Sequence, residues 1–168
     1  MRLILLMLTG LLTASALWAN VPDIGYSVSA RGFDLPGVSA YEHGSIELLW
    51  RPNQGPFTFR GGAAVPIGDG WISRTRFTAA AEVRLAALRD HPMENWISLD
   101  SRYAPSAGIG GITAEGKQVY LSLELTPLRF ETGGGYYAFL APSLYLDPGK
   151  RSLEGWGISL FHFGYYLW

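Results

Sequence analysis

From Ile24 to Trp168 apolar and polar side chains alternate with a period of two, in stretches broken by Gly, Pro, Asn and Asp. A period of two is the strand period, because successive side chains of a strand leave on opposite faces. Eight stretches carry it: Ile24–Phe33, Ser45–Arg51, Pro56–Pro66, Arg74–Arg89, Asn95–Ala104, Lys117–Phe130, Tyr136–Asp147 and Trp156–Trp168. In the second, Ile46, Leu48 and Trp50 oppose Ser45, Glu47 and Arg51. In the sixth, Val119, Leu121, Leu123 and Leu125 oppose Tyr120, Ser122, Glu124 and Thr126. The fourth is ambiguous: read as a strand it sets Phe77, Ala79, Ala81, Val83 and Leu85 against Arg74, Arg76, Thr78, Glu82 and Arg84. The same residues are good helix formers, and Phe77, Ala81, Leu85 and Leu88 would line a helical stripe. We take the strand.

The connectors alternate in length. Asp34–Gly44 is long, Asn53–Gly55 short, Ile67–Ser73 medium, Asp90–Glu94 short, Pro105–Gly116 long, Glu131–Gly135 short and Pro148–Ser152 medium. An even number of strands puts both chain ends on the short-turn side. The long connector contains Gly108-Ile109-Gly110-Gly111-Ile112-Thr113, which approaches a dinucleotide-binding pattern but ends in Thr with no helix after it, so it reads as a loop.

Charge falls on one face and admits two inverse arrangements. Glu47, Arg51, Arg60, Arg74, Arg76, Glu82, Arg84, Asp100, Arg102 and Glu124 all fall opposite the aliphatic face. If the sheet closes on itself with that face inward, eight strands leave an interior just wide enough for side chains. Arg and Glu inside it must pair, since an unpaired buried charge is costly. The inverse arrangement, a soluble barrel with an aliphatic centre, is the rival.

The last stretch, WGISLFHFGYYLW, is aromatic at both ends, with Trp156 at one and Tyr166 and Trp168 at the other. A tilted strand of about ten residues crosses a bilayer in a closed barrel, with aromatic rings at both water interfaces. Placing Leu140, Leu144, Leu160 and Trp168 outside sends Tyr137, Phe139, Tyr145, Phe161, Phe163 and Tyr165 into the lumen as an aromatic wall. It also aims His162 outward, unless a bulge near Gly157 or Gly164 exchanges the faces.

At the other end, residues 1–19 (MRLILLMLTGLLTASALWA) join one Arg to a short apolar core and small residues, the pattern of a secretory signal peptide. Residues 20–168 then form one domain. No later run reaches the ~20 apolar residues that a membrane-spanning helix needs. Cysteine is absent, which excludes disulfides and thiol chemistry. The formal net charge of −1 comes without a basic run, so nucleic acid is not an expected partner.

In its terminal aromatics Tyr166 and Trp168, and in the strand and connector rhythm of the whole mature chain, the sequence resembles the small bacterial outer-membrane barrels of the A and X type. The resemblance implies an all-β, eight-stranded antiparallel up-and-down transmembrane barrel in a Gram-negative outer membrane, monomeric and in contact with outer-membrane lipid and lipopolysaccharide. It implies folding by the barrel assembly machinery, which reads Tyr166 and Trp168, and a structural or adhesive role through the outer loops.

Sequence motifs for chemistry are sparse. His43, His91 and His162 lack metal-ligand spacing, no cofactor motif occurs, and the GxSxG nucleophile elbow is absent. Some small outer-membrane barrels modify lipid A by acyl transfer, and His43, Asp69 and Ser73 fall in the first two outer loops as candidates for such a site. The deacylases with His and Ser two apart on one strand are not matched, because Ser159 and His162 stand three apart. Two alternatives to the structural role stay open: a porin-like channel for apolar molecules along the aromatic wall, and the acyl-transfer enzyme.

Overall fold

The computed structural model describes residues 22–36, 43–52, 55–67, 75–86, 101–114 and 118–167. Ten strands occur in order: β1 (Asp23–Asp34), β2 (His43–Arg51), β3 (Phe57–Pro66), β4 (Arg76–Arg84), β5 (Arg102–Tyr103), β6 (Ser106–Thr113), β7 (Val119–Thr126), β8 (Leu128–Thr132), β9 (Gly135–Asp147) and β10 (Ser152–Tyr166). All pairings are antiparallel. β10 bonds to both β1 and β9, so the sheet closes. β5 leads into β6 and β7 into β8 as successive parts of one stave each, which makes an eight-stave up-and-down barrel.

The apolar face is outside. Leu48 is 72% exposed and Ile46 65%, while Glu47 between them is 1% exposed. Leu121, Leu123 and Leu125 are likewise exposed. Aromatic side chains ring the outer wall at the end that carries the chain termini, where Tyr26 meets Tyr165, Trp50 meets Phe59, and Tyr137 lies between Phe130 and Phe139. Trp156 is exposed near the opposite end.

Residues 76–84 of the ambiguous fourth stretch are strand, paired to β3 from Phe57↔Val83 to Ala64↔Arg76. Their period-two pattern prevails over helix propensity because both edges find partners. Residues 87–88, the end of the helical stripe, lie outside the described residues.

The fifth stave corrects the sequence reading. It is Ser106–Thr113, the glycine-rich run taken above as a loop, and it pairs with β4 and β7 along its length. Of the expected Asn95–Ala104, positions 95–100 lie outside the described residues, and only Arg102–Tyr103 pairs, with β8. Glycine is required here by close approach rather than by a turn. A Cβ on Gly110 would stand 2.9 Å from both Ala80 Cβ and Ser122 Oγ. The connectors shift accordingly: 85–101 is the longest and lies at the terminus end, while 114–118 is short.

A second correction concerns which face is which. Along β10, Gly157 and Ser159 are buried, Leu160 and Phe161 are both exposed, and burial resumes at His162. The register with β1 slips at the same point, between Ala30↔Phe161 and Arg31↔Ser159. On β9 the exchange occurs at Leu140, whose φ is 50°, and on the sixth stave at Pro127, between buried Thr126 and buried Arg129. These bulges cross three adjacent staves, and each sends the polar set inward again beyond the slip. The expected aromatic wall therefore does not line the lumen. Phe161, Phe163 and Tyr165 are exposed and Tyr137 and Phe139 half-buried on the outside, leaving only Tyr145 within. His162, expected outside unless a bulge intervened, is buried inside, and the bulge sits at Leu160 rather than at Gly157 or Gly164. Tyr166 also faces inward, whereas Trp168 lies outside the described residues.

Candidate functional site: a lumen closed by charge

Alternation on β1 turns Asp23, Ser27, Ser29 and Arg31 inward, as it turns Ser45 and Glu47 inward on β2 and Thr58 and Arg60 on β3. On β4 and β7 the same logic delivers Thr78, Glu82, Ser122 and Glu124, and beyond Pro127 it delivers Arg129 and Glu131. The inner surface is thus built from short hydroxyl residues with a few long charged ones threaded between them.

Those charges form one connected relay. Arg31 Nη2 lies 3.3 Å from Glu47, and Arg60 Nη1 lies 3.1 Å from the other oxygen of that carboxylate. Glu124 bridges the same two arginines, pairing with Arg60 and standing 3.9 Å from Arg31. Arg60 continues to Glu82 at 3.9 Å, and Glu82 to Arg129 at 3.3 Å. Arg129 then reaches Glu131 at 2.6 Å, and Glu131 pairs with Arg84. Hydroxyls occupy the remaining lone pairs: Thr78 donates to Glu47 at 2.9 Å, and Ser106 donates to Glu82. Tyr136 bonds His162 Nε2 at 3.0 Å, and the Arg129 guanidinium lies 4.4 Å above the Tyr136 ring. Each charge buried this deeply needs its opposite, because desolvation costs several kcal/mol per ion.

Apolar plugs close the relay above and below. Phe33, Leu35, Ile112, Ala114, Tyr120 and Tyr145 pack together at the end away from the termini, where Tyr120 also donates to the Pro36 carbonyl at 3.1 Å. Leu49, Tyr136 and Tyr166 do so at the terminus end. Between the plugs, a void of about 10 Å³ lined by Arg31, Arg60, Glu124 and His162 is at the lower limit for one water molecule. Within the relay four arginines face four glutamates.

Space for the upper ring of this cluster depends on Gly164. A Cβ there would stand 2.6 Å from Tyr136 Cζ and 3.0 Å from Leu49 Cδ1. Gly164→Val is therefore expected to displace the Tyr136 ring from His162 and Arg129 and to cost about 1–3 kcal/mol by overpacking. The readout is the urea midpoint of the refolded barrel, which stays unchanged if Tyr136 has slack.

Of the residues singled out from the sequence, Glu47, Arg60, Glu82, Arg84 and Glu124 come together in the relay. Arg51 stands apart, bonded through Nε to Asp23 at 2.8 Å and lying 4.1 Å over the Tyr166 ring. Arg76 is buried on the inner face at the start of β4. Arg102 is exposed, and it stands opposite Glu131 on the face that Glu131 shares, while Tyr103 stands opposite Phe130. Arg74, Asp69, Ser73 and Asp100 lie outside the described residues. His43 is 1% exposed and packs edge-on against Phe33, 5.2 Å between ring centres, so it sits under the plug and not in an open loop.

Sequence reasoning missed Asp23, Arg31, Arg129 and Glu131, and reached an inward His162 only by way of a bulge. Arg31 was legible, since Asp23, Ser27, Ser29 and Arg31 share one parity. Arg129 and Glu131 were hidden by the phase change at Pro127, for which a proline inside a strand is the available signal. Among the described residues no cluster of His, Asp and Glu is placed to hold a metal ion. No protein-family model matches the chain, and comparisons with curated proteins and with solved structures likewise find no match.

Proposed function

We propose that the protein is an outer-membrane barrel of the small A and X type, a closed anchor that stabilises the envelope and presents its end connectors for surface contact. The observation that carries this reading is the inversion of the barrel: leucines, isoleucines and aromatics cover the outside while paired charge fills the inside. In water such a surface would aggregate, whereas a bilayer solvates it. Residues 1–19 serve as the export signal and are removed, and the terminus end faces the periplasm, where the assembly machinery receives the final strand. Tyr166 and Trp168 are the residues proposed to be read there before the barrel closes. Outer-membrane lipid and lipopolysaccharide surround a monomer in a Gram-negative host.

The connectors at the opposite end, 35–42, 67–75, 114–118 and 148–151, are the surface this reading exposes to the outside. The plugged lumen argues against passage of solutes, and the buried position of His43 argues against the acyl-transfer alternative. Expression with the leader in a Gram-negative host is expected to put the chain in the outer-membrane fraction, resistant to carbonate extraction. Unboiled samples should migrate faster than boiled ones on a gel. Recovery in the soluble fraction without a heat-dependent shift would refute the reading. Replacing 35–42 and 67–75 with short turns should then lower surface adhesion while leaving the gel shift intact.

A further inference from the structure

One cation at the terminus-end mouth of the lumen stands without a partner. Arg102 opposes Glu131 across the β5–β8 ladder and shares its face, so it belongs to the mouth and not to the outer wall. It is exposed, and it makes no hydrogen bond or ion pair among the described residues. The other arginines of that end are committed. Arg51 meets Asp23 through Nε at 2.8 Å and Nη2 at 2.7 Å, and Arg129 meets Glu82 at 3.3 Å.

Neighbouring staves bring three guanidiniums to the same carboxylate. Glu131 takes Arg129 Nη1 on one oxygen at 2.6 Å and Arg84 Nη1 on the other, so both of its oxygens are engaged before Arg102 is counted. Arg84 closes β4 opposite Ser106, and Arg102 lies just before Ser106 on the next stave, past Ala104, whose amide donates to the Arg129 carbonyl at 2.8 Å. Arg84 is partly exposed, and its Nε and Nη2 make no hydrogen bond among the described residues. With Arg129 matched by Glu82, Arg84 by Glu131 and Arg51 by Asp23, the described mouth carries one surplus positive charge. Its unspent donors belong to Arg84 and Arg102, the two most exposed of the three guanidiniums. Arg151 at the opposite end is exposed as well, but Asp34, Asp147 and Glu154 share that end with it and with Lys150.

We propose that the terminus-end mouth binds a singly charged phosphate diester between Arg84 and Arg102. A guanidinium fork meets two phosphate oxygens at once, and a diester brings the one negative charge that the mouth lacks. A doubly charged anion would set its second charge against the Glu131 carboxylate. The diester is a free solute or the headgroup of a phospholipid at the membrane surface, because the chemistry that the arginines meet is the same. The site goes beyond the anchor reading above and requires only the folded barrel.

The test folds the full chain in dodecyl maltoside micelles, which carry no phosphate, and titrates it by calorimetry with dimethyl phosphate and, separately, with dihexanoyl phosphatidylglycerol. Binding is expected, and it should weaken as salt rises. Arg102→Gln should lower the affinity about tenfold with the gel shift intact, since Arg102 holds no partner that folding needs. Arg151→Gln, which removes an exposed cation at the other end, should leave the affinity unchanged. If the glutamine variant does not fold, Arg102→Lys, which keeps the charge and loses the fork, should still bind more weakly than the native chain. Binding of the lipid alone assigns the headgroup as the source, and binding of both probes shows that the free diester suffices. Heat from neither probe, binding indifferent to Arg102, or an equal loss on changing Arg151 would each overturn the site. An intact gel shift in the same samples would show that the barrel itself survives that outcome.

Discussion

Glu47→Ala is expected to be the most damaging single substitution in the lumen. The Glu47 carboxylate faces Arg31 and Arg60, accepts from Thr78 at 2.9 Å and from Ser27 at 3.4 Å, and stands 3.9 Å from His162. Removing it leaves two guanidiniums sharing Glu124 in a space closed to bulk water by the apolar plugs. Breaking a buried ion pair by deleting one partner costs about 3–5 kcal/mol. That is a large part of the 5–15 kcal/mol or so that holds a typical domain folded. Urea titration of the barrel in vesicles, followed by the gel shift, measures the loss. Glu47→Ala combined with Arg60→Met, which removes a charge of each sign, should recover part of it. A single variant as stable as the native chain would mean that the relay is solvated and that the lumen is open.

Leu48→Arg tests the outside with comparable force and opposite logic. Leu48 lies beside Glu47 on the outer wall and is, among the described residues, the most exposed of the large apolar side chains. On a sheet facing water, exchanging an exposed Leu for Arg stays within about 0.5 kcal/mol. At the middle of a bilayer the same change on a barrel's lipid face costs about 2–4 kcal/mol. The two solvents therefore give different answers at one position, and Leu123→Arg on the facing side of the barrel should repeat the result. Urea midpoints in vesicles, set against the native chain, carry the comparison. A neutral effect at both sites would show that this wall does not meet hydrocarbon.

Much of the barrel could be read from the chain alone, and the reason is local. On β1, β2, β3, β4 and β7 the backbone is regular, so the parity of a residue number settles its face. Glu47, Arg60, Glu82 and Glu124 follow that rule. The fifth stave escaped because glycine counts against a strand when propensity alone is weighed, yet Gly108 and Gly110 are what let β4 and β7 close in from either side. The second half of the lumen escaped for a different reason. Counting by twos from Trp168 and counting by twos from Asp23 disagree across the bulges at Pro127, Leu140 and Leu160.

The sequence by itself determined that the chain is all-β, that its strands have one greasy and one charged side, and that those sides must be segregated. Tertiary structure alone decided which arginine meets which carboxylate, that His162 and Tyr166 turn inward, and that the lumen is plugged at both ends. The physical cause is that alternation is a property of each strand taken singly, written in neighbouring residues. Register slips, by contrast, are agreed between adjacent strands across the ladder: one displaced rung at Leu160 inverts every side chain beyond it, and only the partner strand records the displacement.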